Sequence, residues 1–417
     1  MASSSLSIWL IYALVVLYAL CYQFQRPIEP FLVDKLVKGG GQDATLALGR
    51  VEFCMSFAQW IGSLMMGYIL DKFGVKTGLI LNFAACALQY YILSITDSLT
   101  MLLLSKLPGM MMAGFLCAQT AMGRLTSGDE ERANALGRLT TAYTIGGVFG
   151  PSLGGLLGST GDYFLGAKIA SAGSLLALGL VFLLPSASSN VSVQTKAEDD
   201  SEKPKGSADV PDAWLSRVFI LLPLVGPLLA TKVVTGIANN MARTVQPIIL
   251  KNVFRFDEAK MGLMMSGQFL FGGFVSALPL TRALGGTTDK VVHKCIITMI
   301  SLYLLQAVVF SPFVGALEMG SAITGLVFVA FGLALALFQY PLATNITATA
   351  QRLAGEKMMG TETGIEHSIF AVAGMLGPLG GTTIFREYGL SGICLACGAC
   401  FCCTLLFLSV ATKGKHA

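Results

Sequence analysis

Charge is scarce in this chain: 12% of its 417 residues are Asp, Glu, Lys or Arg, while 54% are hydrophobic. A soluble globule, which needs polar cover, is excluded. Histidine is rarer still, at 3 residues, and no nucleophile beside a base, no phosphate-binding loop and no histidine-bearing metal cluster is visible, so no enzyme is expected. The net charge of +4 points to no nucleic acid. A basic leader and a small-residue cleavage site are also missing, so the first apolar run is expected to stay as an anchored helix. The 10 cysteines fall almost entirely inside apolar runs, which argues against a disulfide framework. Cys394, Cys397 and Cys400 have the spacing of a ligand set, but thiols on such a helix act as small hydrophobes, and no metal is expected.

What is abundant is apolar sequence in windows of about 20 residues, the length that crosses a bilayer as a helix. They lie near 7–33, 46–69, 77–96, 99–122, 136–158 and 167–185, then near 217–250, 262–281, 291–313, 320–344, 363–385 and 390–411. Between the sets, Ser186 to Asp212 is polar and charged, as a flexible linker would be. The expected fold is an all-α membrane protein of twelve transmembrane helices in two six-helix bundles, residues 1–185 and 214–417, joined by a cytoplasmic linker over 186–213. More Lys and Arg fall in the connections on the side of the N-terminus than on the other, so both termini are expected in the cytoplasm. Asn190-Val191-Ser192 is then cytosolic and unglycosylated. Which membrane holds the chain, plasma membrane or an organelle, is open.

The halves repeat a plan. Gln25-Arg26-Pro27-Ile28-Glu29-Pro30 ends the first window, and Ala242-Arg243-Thr244-Val245-Gln246-Pro247 ends the seventh, with Gln246 in place of Glu29. Ionisable groups at such depth are costly and mark function.

Gly67-Tyr68-Ile69-Leu70-Asp71-Lys72-Phe73-Gly74-Val75-Lys76-Thr77-Gly78 resembles the signature loop of the major facilitator superfamily. Its glycines permit a tight reversal, and the resemblance implies that Asp71 caps the eleventh helix to latch one state. The second-half counterpart, Leu284 to Lys290, is degenerate. Gly146-Gly147-Val148-Phe149-Gly150-Pro151-Ser152-Leu153-Gly154-Gly155 resembles the motif of antiporters in that superfamily, echoed by Gly374 to Gly381; close helix packing alone is the alternative. Cys21 with Pro27-Ile28-Glu29-Pro30 is similar to the first-helix motif of drug:proton antiporters. Leu103 to Gly109, Ala118-Gln119 and Glu130 to Leu139 resemble the organic-cation-transporter-like, member 18 type of solute carrier family 22. Together these resemblances imply a carrier with the major facilitator fold, working as a monomer on a small organic solute within the lipid bilayer.

On a 3.6-residue period Tyr18, Tyr22, Gln25 and Glu29 share a stripe, with Arg26 beside it, and Lys232, Gly236, Asn239, Arg243 and Gln246 make its counterpart. Lys106 lies at the depth of Arg26 and Glu29. We expect Tyr18, Tyr22, Gln25, Arg26, Lys106, Lys232, Asn239, Arg243 and Gln246 to bind solute and Glu29 to carry the proton. Desolvation favours the neutral acid, a neighbouring Arg26 or Lys106 favours the carboxylate, and their balance permits exchange. A static Glu29 to Arg26 pair is the alternative for Glu29, and contacts to helix-end carbonyls for the two arginines. Asp71, Lys72, Glu362 and Glu366 are candidates for the gate, Lys72 or Lys76 reaching the acids beside His367. Among aromatics, Tyr18, Tyr22, Phe269, Phe271, Phe338, Tyr340 and Phe370 are candidates for stacking on solute, and Gln339, Tyr340 and Asn345 for polar contacts.

The expected activity is proton-coupled antiport of organic cations or drug-like compounds, with the proton gradient as coupling ion and no other cofactor. Two alternatives stand: organic anions or zwitterions, because Arg26, Lys106, Lys232 and Arg243 outnumber Glu29, and a membrane scaffold that has lost transport.

Overall fold

The computed structural model describes residues 2–37, 41–125, 129–184, 214–278, 280–285, 288–311, 322–354 and 359–413, and among them every regular element is helical. The linker over 186–213 lies outside the described residues.

The first window is interrupted. Helix α1 (Ala2–Phe24) ends before the prolines, residues 25–28 turn, and α2 (Glu29–Leu36) resumes with Pro30 in its first turn, where a missing amide proton costs nothing. The fourth window is interrupted likewise. Helix α4 (Leu99–Ser105) gives way to a 3₁₀ turn, Leu107–Met111, carrying Pro108, before α5 (Gly114–Leu125). Each of these windows is nonetheless one apolar stretch long enough to cross a membrane, Leu6–Leu36 and Leu99–Met122, built from two shorter helices.

Helix α3 (Gly41–Ser94) is two rods joined at Gly74, whose φ of 84° a side chain would strain. This reversal falls inside the Gly67 to Gly78 loop. Helix α13 (Met359–Lys413) folds back in the same way at Gly389, φ 66°. The remaining long helices are α6 (Asp129–Gly158), α7 (Leu165–Phe182), α8 (Trp214–Asn252), α9 (Glu258–Ala277), α11 (Thr288–Val309) and α12 (Ala322–Ala354), with a short α10 (Leu280–Ala283) after α9.

Among the described residues, eight stretches are long and apolar enough to cross a membrane, Ser368–Leu408 covering two of the windows. The windows near 136–158, 217–250 and 262–281 fold as α6, α8 and α9 but are not among the eight. Their polar residues explain this: Thr140, Thr144, Lys232, Asn239, Arg243, Gln246 and Gln268 face an internal cavity rather than hydrocarbon.

Two large apolar cores form. One draws on residues 11–184 together with Ile248, the other on residues 238–408. The halves meet where α6 lies on α9 and α3 on α13. A Cβ on Gly155 would collide with the Glu258 carbonyl, and one on Gly262 with the Pro151 carbonyl, so only glycine permits that approach. Pro151 lies inside the helix, and the next amide, Ser152 N, donates to Ser266 Oγ across the interface at 2.9 Å. The antiporter-like glycines thus serve two contacts: Gly146, Gly150 and Gly154 seat α1, while Gly147 and Gly155 seat α9.

Candidate functional site

Between the halves lies a cavity of ≈ 1340 Å³, running from Glu29 and Pro30 to Ser63, Ser276 and Glu366. At its first end polar contacts tie the two halves together. Lys251 Nζ, from the second half, lies 2.9 Å from Asp34 Oδ2 and donates to the Pro30 carbonyl at 3.1 Å. Tyr163 Oη donates to Glu258 Oε1 at 2.7 Å, and burial with that carboxylate pushes the phenol up to about 12, so it stays a donor at neutral pH.

The interruptions of the first and fourth windows place the deepest charges. Glu29, the first residue of α2, and Lys106, the C-cap of α4, meet at 2.6 Å between Glu29 Oε1 and Lys106 Nζ, both side chains 9% exposed. Arg26 stands in the turn between α1 and α2, 3.9 Å from Glu29. Its guanidinium also pairs with Glu52 of α3, donates to Tyr22 Oη at 2.8 Å and lies 5.2 Å from the centre of the Tyr22 ring. Tyr18 stacks on Tyr22 with centroids 6.3 Å apart. In the second half, Lys232 pairs with Glu366 and donates to Thr347 Oγ1 at 2.7 Å.

Of the expected solute-binding residues, Tyr18, Tyr22, Arg26, Lys232, Asn239, Arg243 and Gln246 line the cavity, as does Glu29. Gln25 does not: α1 stops at Phe24, the stripe loses its register, and Gln25 packs toward Gly166 of α7 while Gln23 takes the cavity wall. Lys106 also stays off the wall, buried behind Glu29. Asn239 keeps its Oδ1 buried with no partner among the described residues. Arg243 is exposed to the cavity and, among the described residues, has no hydrogen-bond or ion-pair partner, helix-end carbonyls included.

Among the gate candidates, Glu366 pairs with Lys232 and not with Lys72, which donates to Tyr68 Oη at 2.9 Å, nor with Lys76, which donates to the carbonyls of Phe182 and Leu184 at 3.2 and 2.6 Å. The side chains of Asp71, Glu362 and His367 lie outside the described residues. Phe269, Tyr340, Phe370 and Gln339 line the cavity; Phe271, Phe338 and Asn345 do not. Sequence reasoning missed Glu52, whose signal was a carboxylate inside an apolar window, and the Asp34 and Lys251 pair, which sits at window edges where charge is ordinary.

Two helical halves tied together at one end around a charged cavity have the architecture of a membrane carrier. The Major Facilitator Superfamily model matches residues 11–378, and the chain belongs to the major facilitator superfamily. It is 26% identical over 387 residues to solute carrier family 22 member 18 of Mus musculus, covering 91% of this chain and 90% of that one. It is 21% identical over 365 residues to multidrug resistance protein 1 of Bacillus subtilis, covering 86% and 84%. The crystal structure of the human organic anion transporter MFSD10 (TETRAN) matches with a TM-score of 0.63 at 16% identity, covering 97% of this chain and 99% of that chain, a likeness of fold.

Proposed function

We propose that the protein exchanges protons for a small organic solute by alternating access, with Glu29 as the group that carries the proton. One observation supports this above the rest: Glu29 is a carboxylate on the cavity wall, held by Lys106 and flanked by Arg26. Protonation cancels its attraction for both bases and leaves two like charges in a low-dielectric space, so the pair is a two-state element that a proton can bias. If the linker end is cytoplasmic, the cavity closed by Lys251, Asp34, Tyr163 and Glu258 belongs to the inward-facing state. Binding of solute, release of the proton and exchange of closure between the ends then form one cycle. The proton gradient is the coupling ion, the bilayer and the solute are the partners, and a cavity enclosed by one chain supports a monomer as the working unit.

Drug-like compounds are the solutes that the name of multidrug resistance protein 1 favours, and organic cations are the class that the sequence motifs favour by resemblance. A second class, organic anions or zwitterions, is favoured by the unpartnered Arg243.

The test is made in proteoliposomes holding a pH dye, with an imposed inward-acid gradient and panels of organic cations and anions. A carried solute is expected to alkalinise the lumen. No response to either panel from folded protein overturns the proposal and favours a scaffold.

A further inference from the structure

The halves repeat one plan, and the structure breaks that symmetry at the arginines. Arg26 is saturated, holding Glu52, the Tyr22 hydroxyl and ring, and Glu29 at 3.9 Å. Arg243 is its counterpart in the second copy, and both acids are gone around it. Gln246 stands where Glu29 stood. The same register carries the start of α3 at Gly41 onto the start of α9 at Glu258, and sets Phe269 where Glu52 stood, with Gln268 beside it. The amide nitrogens of Gln246 and Gln268 both approach Gly332 of α12, 3.5 and 3.9 Å from where its Cβ would be. Arg243, Gln246 and Gln268 all line the cavity, so this part of the wall is rich in donors. Glu366, also on the second half's wall, is held by Lys232.

Charge accounting sharpens the contrast. The acids Glu29, Glu52 and Glu366 on the wall are held by Lys106, Arg26 and Lys232 respectively. Among the described residues, an arriving cation finds no wall acid that is free of one of the protein's own bases, and the face of Tyr22 that would receive it already lies beside Arg26. An arriving anion displaces nothing. It meets a guanidinium whose planar fork matches a carboxylate or sulfonate, in a chamber whose apolar walls strengthen the attraction. Arg26, Tyr143 of α6 and Arg243 all line the cavity, so the saturated and the bare arginine share one chamber.

We infer that the transported solute carries an anionic group, a carboxylate or sulfonate, and that Arg243 is the residue that binds it. This rests on the transport function proposed above and divides its labour: the acids of the first half handle the proton, and the base of the second half handles the solute.

The experiment is equilibrium binding of radiolabelled 2-naphthoate to the purified full chain, with 2-naphthylmethylammonium as a cationic competitor of similar size. Saturable naphthoate binding is expected, at least tenfold weaker in Arg243→Gln, partly restored in Arg243→Lys, and little affected by the ammonium compound. Because Arg243 makes no bond to lose, the melting temperature of Arg243→Gln should match the parent. Absence of saturable naphthoate binding, equal affinity in Arg243→Gln, or competition by the ammonium compound as strong as by unlabelled naphthoate would overturn the inference. Luminal pH in proteoliposomes is read separately. Binding that depends on Arg243 without proton movement sinks the coupling proposal alone, and proton movement driven by cations with no dependence on Arg243 sinks this one alone.

Discussion

Lys106 Nζ stands 2.6 Å from Glu29 Oε1, and each member of the pair sits where a transmembrane stretch is interrupted. Both side chains are withdrawn from water, so each is tolerable only while the other is present. Breaking such a pair from one side typically costs about 3–5 kcal/mol, whereas removing both partners costs far less. Lys106→Met should therefore lower the melting temperature in detergent more than the double variant Lys106→Met with Glu29→Gln. Equal losses would mean that the pair is not coupled.

The second pair on this side, Arg26 with Glu52, is less buried, at 23% and 19% exposure, and shares Arg26 with Tyr22 and Glu29. A double-mutant cycle on Arg26→Gln and Glu52→Gln, followed by thermal unfolding, should give a coupling of about 0.5–3 kcal/mol. Additive losses would remove Glu52 from the cluster.

At the closed end, Lys251 and Asp34 join the halves with Asp34 41% exposed. Water weakens such a pair to about 0.5–1 kcal/mol, which is roughly a two- to fivefold shift in a two-state population. Asp34→Asn should favour opening at this end by that factor, read as faster labelling of a cysteine introduced on the cavity wall. Unchanged labelling would show that the pair does not hold the end closed.

Glycine carries the same closure sterically. Gly155→Leu would drive a side chain into the Glu258 carbonyl and the Gly262 backbone, and should abolish transport by preventing closure. Gly380→Ala, in the echoed motif of α13 but with nothing within 4 Å of its Cβ, should be tolerated. If Gly155→Leu transports normally, the contact of α6 with α9 is not required in the cycle.

The arginines and Glu29 were legible in the sequence because charge stands out against apolar windows, and the repeat of Arg26 in Arg243 marked two equivalent halves. Glu52 stood out as plainly, but nothing in its own window points to Arg26; that pairing depends on how α3 rotates against α1. Gln25 was misplaced because a 3.6-residue stripe holds only while the helix continues, and α1 ends at Phe24. The same applies to Lys106, whose depth was readable while the break that turns it toward Glu29 was not. Glu366 drew a partner from its own half, Lys232, rather than from the signature loop, because helix rotation within the second half decides which base it meets.

The most direct measurement of the central claim uses Glu29→Gln in proteoliposomes and compares two assays on one sample. Exchange of labelled for unlabelled solute needs no proton, while uphill uptake against an imposed pH gradient does. The account predicts that exchange survives and uphill transport is lost. Uphill transport retained in Glu29→Gln would contradict it and return Glu29 to a static partner of Lys106 and Arg26.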